Sequence, residues 1–70
     1  MTQNEMILDY LRNKGSLTQA KAIEEFGCYR LPARICDLRR MGHTIPKTIQ
    51  KAYNRFGKEV RFAEYRLVER

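Results

Sequence analysis

Four arginines, Arg30, Arg34, Arg39 and Arg40, fall within one short stretch, and a second basic group, Lys51, Arg55, Lys58 and Arg61, follows it. A guanidinium offers a planar fork of N–H donors that fits two phosphate oxygens or the O6/N7 edge of guanine, and an ammonium meets phosphate as a point charge. The chemistry on offer is therefore recognition of anions and base edges. Covalent catalysis has little to work with. His43 is the lone histidine, no Ser/His/Asp or Cys/His set has a workable arrangement, and no glycine-rich phosphate loop is present. The chain is read as a non-enzyme. Cys28 and Cys36 are eight positions apart, about 12 Å along one helix and too far for a disulfide. A structural zinc site wants four ligands and only His43 joins these two, so both are read as free thiols and neither metal nor cofactor is expected.

The elements that must carry these side chains are set by spacing. In residues 30 to 41, at about 100° per residue, Leu31, Ile35 and Leu38 share one face while Arg30, Ala33, Cys36, Asp37 and Arg40 lie away from it. Pro32 suits a first helical turn and Gly42 a helix stop. Ala33 on the outer face is small enough to let a helix approach base edges and to touch a thymine methyl. Before this helix, Gly27, Cys28 and Tyr29 form a tight turn after a shorter helix that uses Ser16 or Thr18 as its N-cap, with Ala20, Ile23 and Phe26 on one side and Lys21, Glu24 and Glu25 toward solvent. Gln19, at that helix start, is a candidate phosphate contact. Two helices across a three- to four-residue turn containing Gly have the helix-turn-helix form, whose second helix enters the DNA major groove. The competing reading makes the four arginines an ordinary solvated surface.

The flanks complete one small domain over residues 1 to 70. Thr2 to Glu5 has the form of a capping box, opening a first helix of about ten residues with Met6/Tyr10 and Ile7/Leu11 as apolar pairs and Gly15 as its break. Leu17 is also placed for a short strand. After Gly42 the pattern changes to that of strands, over residues 43 to 53 and 59 to 67, joined by Asn54, Arg55, Phe56 and Gly57 as a turn. Pro46 belongs at a strand start or on an edge. Three helices followed by a basic hairpin is the chain order of a winged helix, an α+β fold. Arg55 and Lys58, in residues 54 to 58, are the candidate wing contacts. Charged residues on such strands also serve as edge protection, and Tyr53, Phe56, Phe62 and Tyr65 are expected to pack on the helices rather than to form a stacking platform.

The net charge is +6 and uneven, since residues 1 to 27 carry three basic and four acidic side chains and residues 28 to 70 carry eleven and four. The positive field belongs to the arginine helix and the hairpin, where counterion release from phosphates would exploit it, although RNA, anionic lipid or an acidic protein also fits. No apolar run is long enough to span a membrane and the N-terminus lacks a secretory pattern, so a cytoplasmic location is expected.

The stretches Leu17-Thr18-Gln19-Ala20, Phe26-Gly27-Cys28, Arg30-Leu31, Ala33-Arg34-Ile35, Asp37-Leu38-Arg39, Gly42-His43 with Ile45, and Ala63-Glu64-Tyr65 resemble small winged helix-turn-helix proteins of bacteriophages and prophages. The resemblance implies a DNA-binding or regulatory role in phage biology. It puts Arg30, Ala33, Arg34 and Arg39 on the recognition helix, whereas the wheel sets Arg34 beside the apolar stripe, where it can pair with Asp37 and orient the helix.

The leading expectation is sequence-specific binding of duplex DNA by a regulator of transcription or recombination, with residues 30 to 41 in the major groove. Its contact set is Gln19, Tyr29, Arg30, Ala33, Arg34, Arg40, Arg55 and Lys58. The alternative is a winged-helix module that inhibits or recruits a host or phage protein, including an acidic one. An RNA binder ranks below both because no exposed aromatic platform is expected. No spare helix or heptad offers a dimer interface, and cooperative assembly along DNA stays open.

Overall fold

A computed structural model describes residues 1–68; the last two residues of the expected 1 to 70 domain lie outside the described residues. The elements run α1 (Gln3–Lys14), β1 (Ser16–Thr18), α2 (Gln19–Phe26), α3 (Leu31–Arg40), β2 (Lys47–Tyr53) and β3 (Glu59–Arg66). The capping box forms as read: the Glu5 amide donates to Thr2 Oγ1 at 3.2 Å and the Thr2 amide donates to Glu5 Oε1 at 3.0 Å. Gly15, at φ 90°, ends α1. The helix runs to Lys14, 12 residues against the expected ten or so.

Of the two candidate caps for α2, Thr18 takes the position, accepting from the Lys21 amide at 3.2 Å. Leu17 is thereby left to β1, which pairs antiparallel with β3 in a sheet of order β1-β3-β2. The inward face of α2 differs from the expected one. Ala22 is fully buried and Phe26 partly so, while Ala20 and Ile23 are exposed. The helix is only eight residues long, and its orientation is fixed by Gln19, Ala22 and Phe26. These lie at i, i+3 and i+7 and so share one stripe; Ala20 and Ile23 sit one step around from it. The ring of Phe26 meets Tyr10 of α1 edge to face, with centroids 5.5 Å apart, a favourable aromatic geometry.

The core joins every element except β2: Ile7 and Leu11, Leu17, Ala22, Cys28 of the turn, Leu31, Ile35 and Leu38 of α3, Ile45 and Tyr65. The three α3 residues are those the wheel selected, so its opposite face is left to solvent. A Schellman arrangement closes α3, with the His43 amide donating to the Leu38 carbonyl at 3.2 Å and the Gly42 amide to Arg39 at 3.1 Å, which needs the φ of +101° at Gly42.

β2 begins four residues later than the pattern of residues 43 to 53 implied, because Ile45 drops into the core instead of continuing the strand. Pro46 lies just before the strand, and its carbonyl accepts from the Arg66 amide at 3.2 Å. The hairpin register pairs Tyr53 with Glu59, Lys51 with Arg61 and Ile49 with Ala63. Only its base touches the helices, because β1 covers β3 solely at Glu64 to Arg66. Beyond that the hairpin projects, and the Cα radius of gyration of 12.6 Å exceeds the roughly 11 Å of a compact chain of this length.

Candidate nucleic-acid interface

The start of α3 is positioned by one side chain. Gln19 accepts from the Leu31 amide through Oε1 at 2.9 Å and donates through Nε2 to the Cys28 carbonyl at 2.6 Å. A helix N-terminus leaves amides without intrahelical partners, and α3 has no capping side chain of its own at Arg30. Gln19 supplies the cap from the neighbouring helix. Both ends of its amide are engaged by backbone, so the side chain expected as a phosphate contact also acts as a brace that fixes α3 against the turn, with its second Nε2 hydrogen left over. Nothing in the spacing alone distinguishes the two roles, since each places Gln19 at a helix start.

Arg34 is a second brace. Its Nε donates to Gln3 Oε1 at 3.2 Å and its Nη1 lies 3.6 Å from Asp37 Oδ2, so it joins α3 to the start of α1. These are the contacts of the orienting alternative, made by a side chain that is still 42% exposed. Arg39, placed on the recognition helix by resemblance, donates from Nε to the Ile45 carbonyl at 3.0 Å and from Nη2 to the same oxygen. It holds the loop into β2. Of the four arginines in the cluster, two therefore face inward functions.

What remains outward is a shorter list. Tyr29 is 74% exposed in the turn, and Arg30 is exposed with no ion-pair partner among the described residues. Ala33 and Cys36 are exposed. Arg40 reaches Asp37 Oδ1 at 3.7 Å while its side chain stays 76% exposed. Surface pairs of this kind contribute about 0–1 kcal/mol, too little to keep Arg40 from a phosphate.

The hairpin tip is well ordered by its own hydrogen bonds. Asn54 Oδ1 accepts from the amides of Phe56 at 2.9 Å and Lys58 at 3.1 Å, and the Asn54 carbonyl accepts from Gly57 at 3.0 Å. Gly57, at φ +77°, supplies the left-handed residue that follows a type I turn in such hairpins. Arg55 and Lys58 are exposed and meet no carboxylate among the described residues. Lys51 and Arg61, by contrast, both lie against Glu59, at 3.8 and 3.6 Å, in keeping with an edge-strand role. Lys47, at the start of β2, is a further exposed cation that the sequence reading passed over.

The expectation for the hairpin aromatics is corrected. Tyr65 alone is buried, whereas Tyr53 is 72%, Phe56 79% and Phe62 40% exposed. Tyr53, Phe56 and Phe62 belong neither to the core nor to the apolar residues packed against it. Among the described residues no cluster of His, Cys, Asp or Glu could hold a metal ion, and no helix is long and apolar enough to cross a membrane.

Three helices and a three-stranded sheet whose β2–β3 hairpin projects are the parts of a winged helix. A family model described as a winged helix-turn-helix domain matches residues 2–70, and the chain belongs to that family. No curated protein and no solved structure matches.

Proposed function

We propose that this protein binds double-stranded DNA sequence-specifically and regulates transcription or recombination in a phage or prophage. The observation that carries the reading is the two-sided character of α3. Its apolar stripe of Leu31, Ile35 and Leu38 is buried, its ends are locked by Gln19 and by the Gly42 stop, and its outer face presents Arg30, Ala33 and Arg40. A rigid helix with a small central residue and arginines beside it is suited to the major groove. Tyr29 lies next to it for phosphate contact. Arg55 and Lys58 serve as wing contacts to the backbone or minor groove. The phage setting is supported by the sequence resemblance.

The test is a heteronuclear NMR titration with a short mixed-sequence duplex at low salt and then at higher salt. Amide shifts at residues 29 to 40 and 54 to 58 that reverse with salt are expected. An unshifted spectrum, or shifts scattered over the chain, overturns the reading. Once a preferred site has been selected, Arg30→Ala should lose about 1–3 kcal/mol of discrimination between bases. Lys58→Ala should weaken all sequences alike.

A second reading, docking on a host or phage protein, is favoured by one feature: a groove of about 290 Å³ lined by Thr2, Asn4, Glu5, Leu8, Leu38 and Met41. It lies between α1 and the end of α3 and is largely apolar. Capture of a protein partner that is abolished by Leu8→Asp, while duplex DNA leaves the spectrum unchanged, would favour this reading over the first.

A further inference from the structure

Charge explains the basic residues of the hairpin but not its tip. Phe56 is 79% exposed, at the point of the molecule farthest along the chain from both strand bases. A loop that served only to bring Arg55 and Lys58 to phosphates would gain nothing from a large apolar ring held in water. The ring is also deliberately presented. Its own amide and that of Lys58 are fixed by Asn54 Oδ1, and the turn is closed by the Asn54 carbonyl and by the left-handed Gly57. The side chain it meets is the guanidinium of Arg55, 6.0 Å from the ring centroid, a contact that leaves most of the ring open.

We propose that Phe56 is a wedge that the wing inserts between two stacked base pairs of the bound duplex, with Arg55 and Lys58 gripping the phosphates on either side. The inference rests on the duplex-binding reading above. Apolar side chains driven into a base step from the minor groove partly unstack it and kink the duplex by about 20–90°. Three features of the tip meet what that requires. The wedge is apolar and flat, its backbone is held by hydrogen bonds before binding so that little entropy is lost on insertion, and its two neighbouring cations meet no carboxylate among the described residues, Glu59 being engaged by Lys51 and Arg61. The half-exposed Val60 and Phe62, opposite Ala52 and Gln50 in the register, extend an apolar surface back from the tip against which sugar rings can lie. Flexible pyrimidine–purine steps are the sites that unstack most readily, so the wing adds a preference for such a step at a distance from the bases read by α3.

The experiment uses a short duplex with 2-aminopurine at a central TA step and dyes at the two ends, so that binding, unstacking and bending are read separately. Binding followed by anisotropy tests the duplex reading; 2-aminopurine emission and end-to-end energy transfer test the wedge. Wild-type protein is expected to raise both signals. Phe56→Ala should abolish both and bind about ten-fold more weakly, the scale of one base–aromatic stacking contact. Phe56→Leu, which keeps an apolar wedge, should retain most of the unstacking. An unchanged melting temperature for both variants, expected for a side chain with no core contact, shows that folding is not the cause. Binding without any rise in emission, or an equal rise with Phe56→Ala, overturns the wedge and leaves duplex binding standing. Absence of binding to any duplex overturns both. Preferential binding of the single strand over the duplex also overturns the wedge, since the ring would then be stacking on unpaired bases.

Discussion

Gln19 shows how much one amide can decide. Replacing it with Ala leaves the Leu31 amide and the Cys28 carbonyl without their partners, and an unsatisfied, partly buried group costs about 1–3 kcal/mol. Urea denaturation of Gln19→Ala should show a loss in that range. Unchanged stability together with weaker DNA binding at one fixed salt concentration would instead place Gln19 on the contact surface. At the other end of the chain, hydrogen bonding to the Thr2 backbone and then to its side chain holds the Glu5 carboxyl below its ordinary value of 4.5. A depressed folded pKa means that the capping interaction is present above about 4.5 and is lost as the pH falls through the folded value. Amide exchange in the first turn of α1 should therefore accelerate under acid. Glu5→Gln, which keeps the box but does not titrate, should remove that dependence.

At the scale of elements, the termini carry the strictest backbone demands. A Cβ at Gly42 would meet nothing within 4 Å, so the cost of Gly42→Ala comes from the +101° φ alone, about 1–2 kcal/mol. Thermal melts should show that loss, and a neutral outcome would mean that the stop of α3 relaxes into another conformation. The sequence made α3 legible because Leu31, Ile35 and Leu38 repeat over about two turns and Pro32 and Gly42 mark its start and stop. α2 was less legible: eight residues hold too few apolar positions to fix a face, and its orientation comes from Gln19, whose partners are brought to it only by folding. The hairpin and its turn could be read from Asn54 and Gly57. That its aromatics stand clear of the helices could not, since this depends on how far β1 extends along β3. For the same reason the arginines of α3 could be counted but not sorted. Arg34 and Arg39 differ from Arg30 by the presence of Gln3 and the Ile45 carbonyl, the first 31 residues away in the chain and the second brought back only by the turn that follows α3.

The whole molecule is a compact three-helix body with a charged arm, and its net charge of +6 overstates what is free to meet DNA. Asp37 shares Arg34 and Arg40, and Glu59 shares Lys51 and Arg61. If Arg30, Arg55 and Lys58 are the cations that displace counterions, log K against log salt should fall with a slope of about −3. A slope near −6 would mean that both acids surrender their partners on binding, and one near zero would exclude a phosphate-centred interface. The measurement is a salt series of anisotropy titrations on one duplex, with Asp37→Asn as the variant that should steepen the slope if Arg40 is released.

The two thiols give the protein a built-in means of reporting where it sits. Cys28 is buried in the core and Cys36 is exposed on the outer face of α3. A thiol-directed reagent should therefore label the native chain at one position without any cysteine having to be introduced or removed. A tethered iron chelate at Cys36 would cleave the sugar backbone beside the helix and write the footprint of α3 onto the DNA at nucleotide resolution. Because Cys36 lies between Ala33 and Arg40 in the chain, a short tether would put the cut close to the base pairs that α3 is proposed to read.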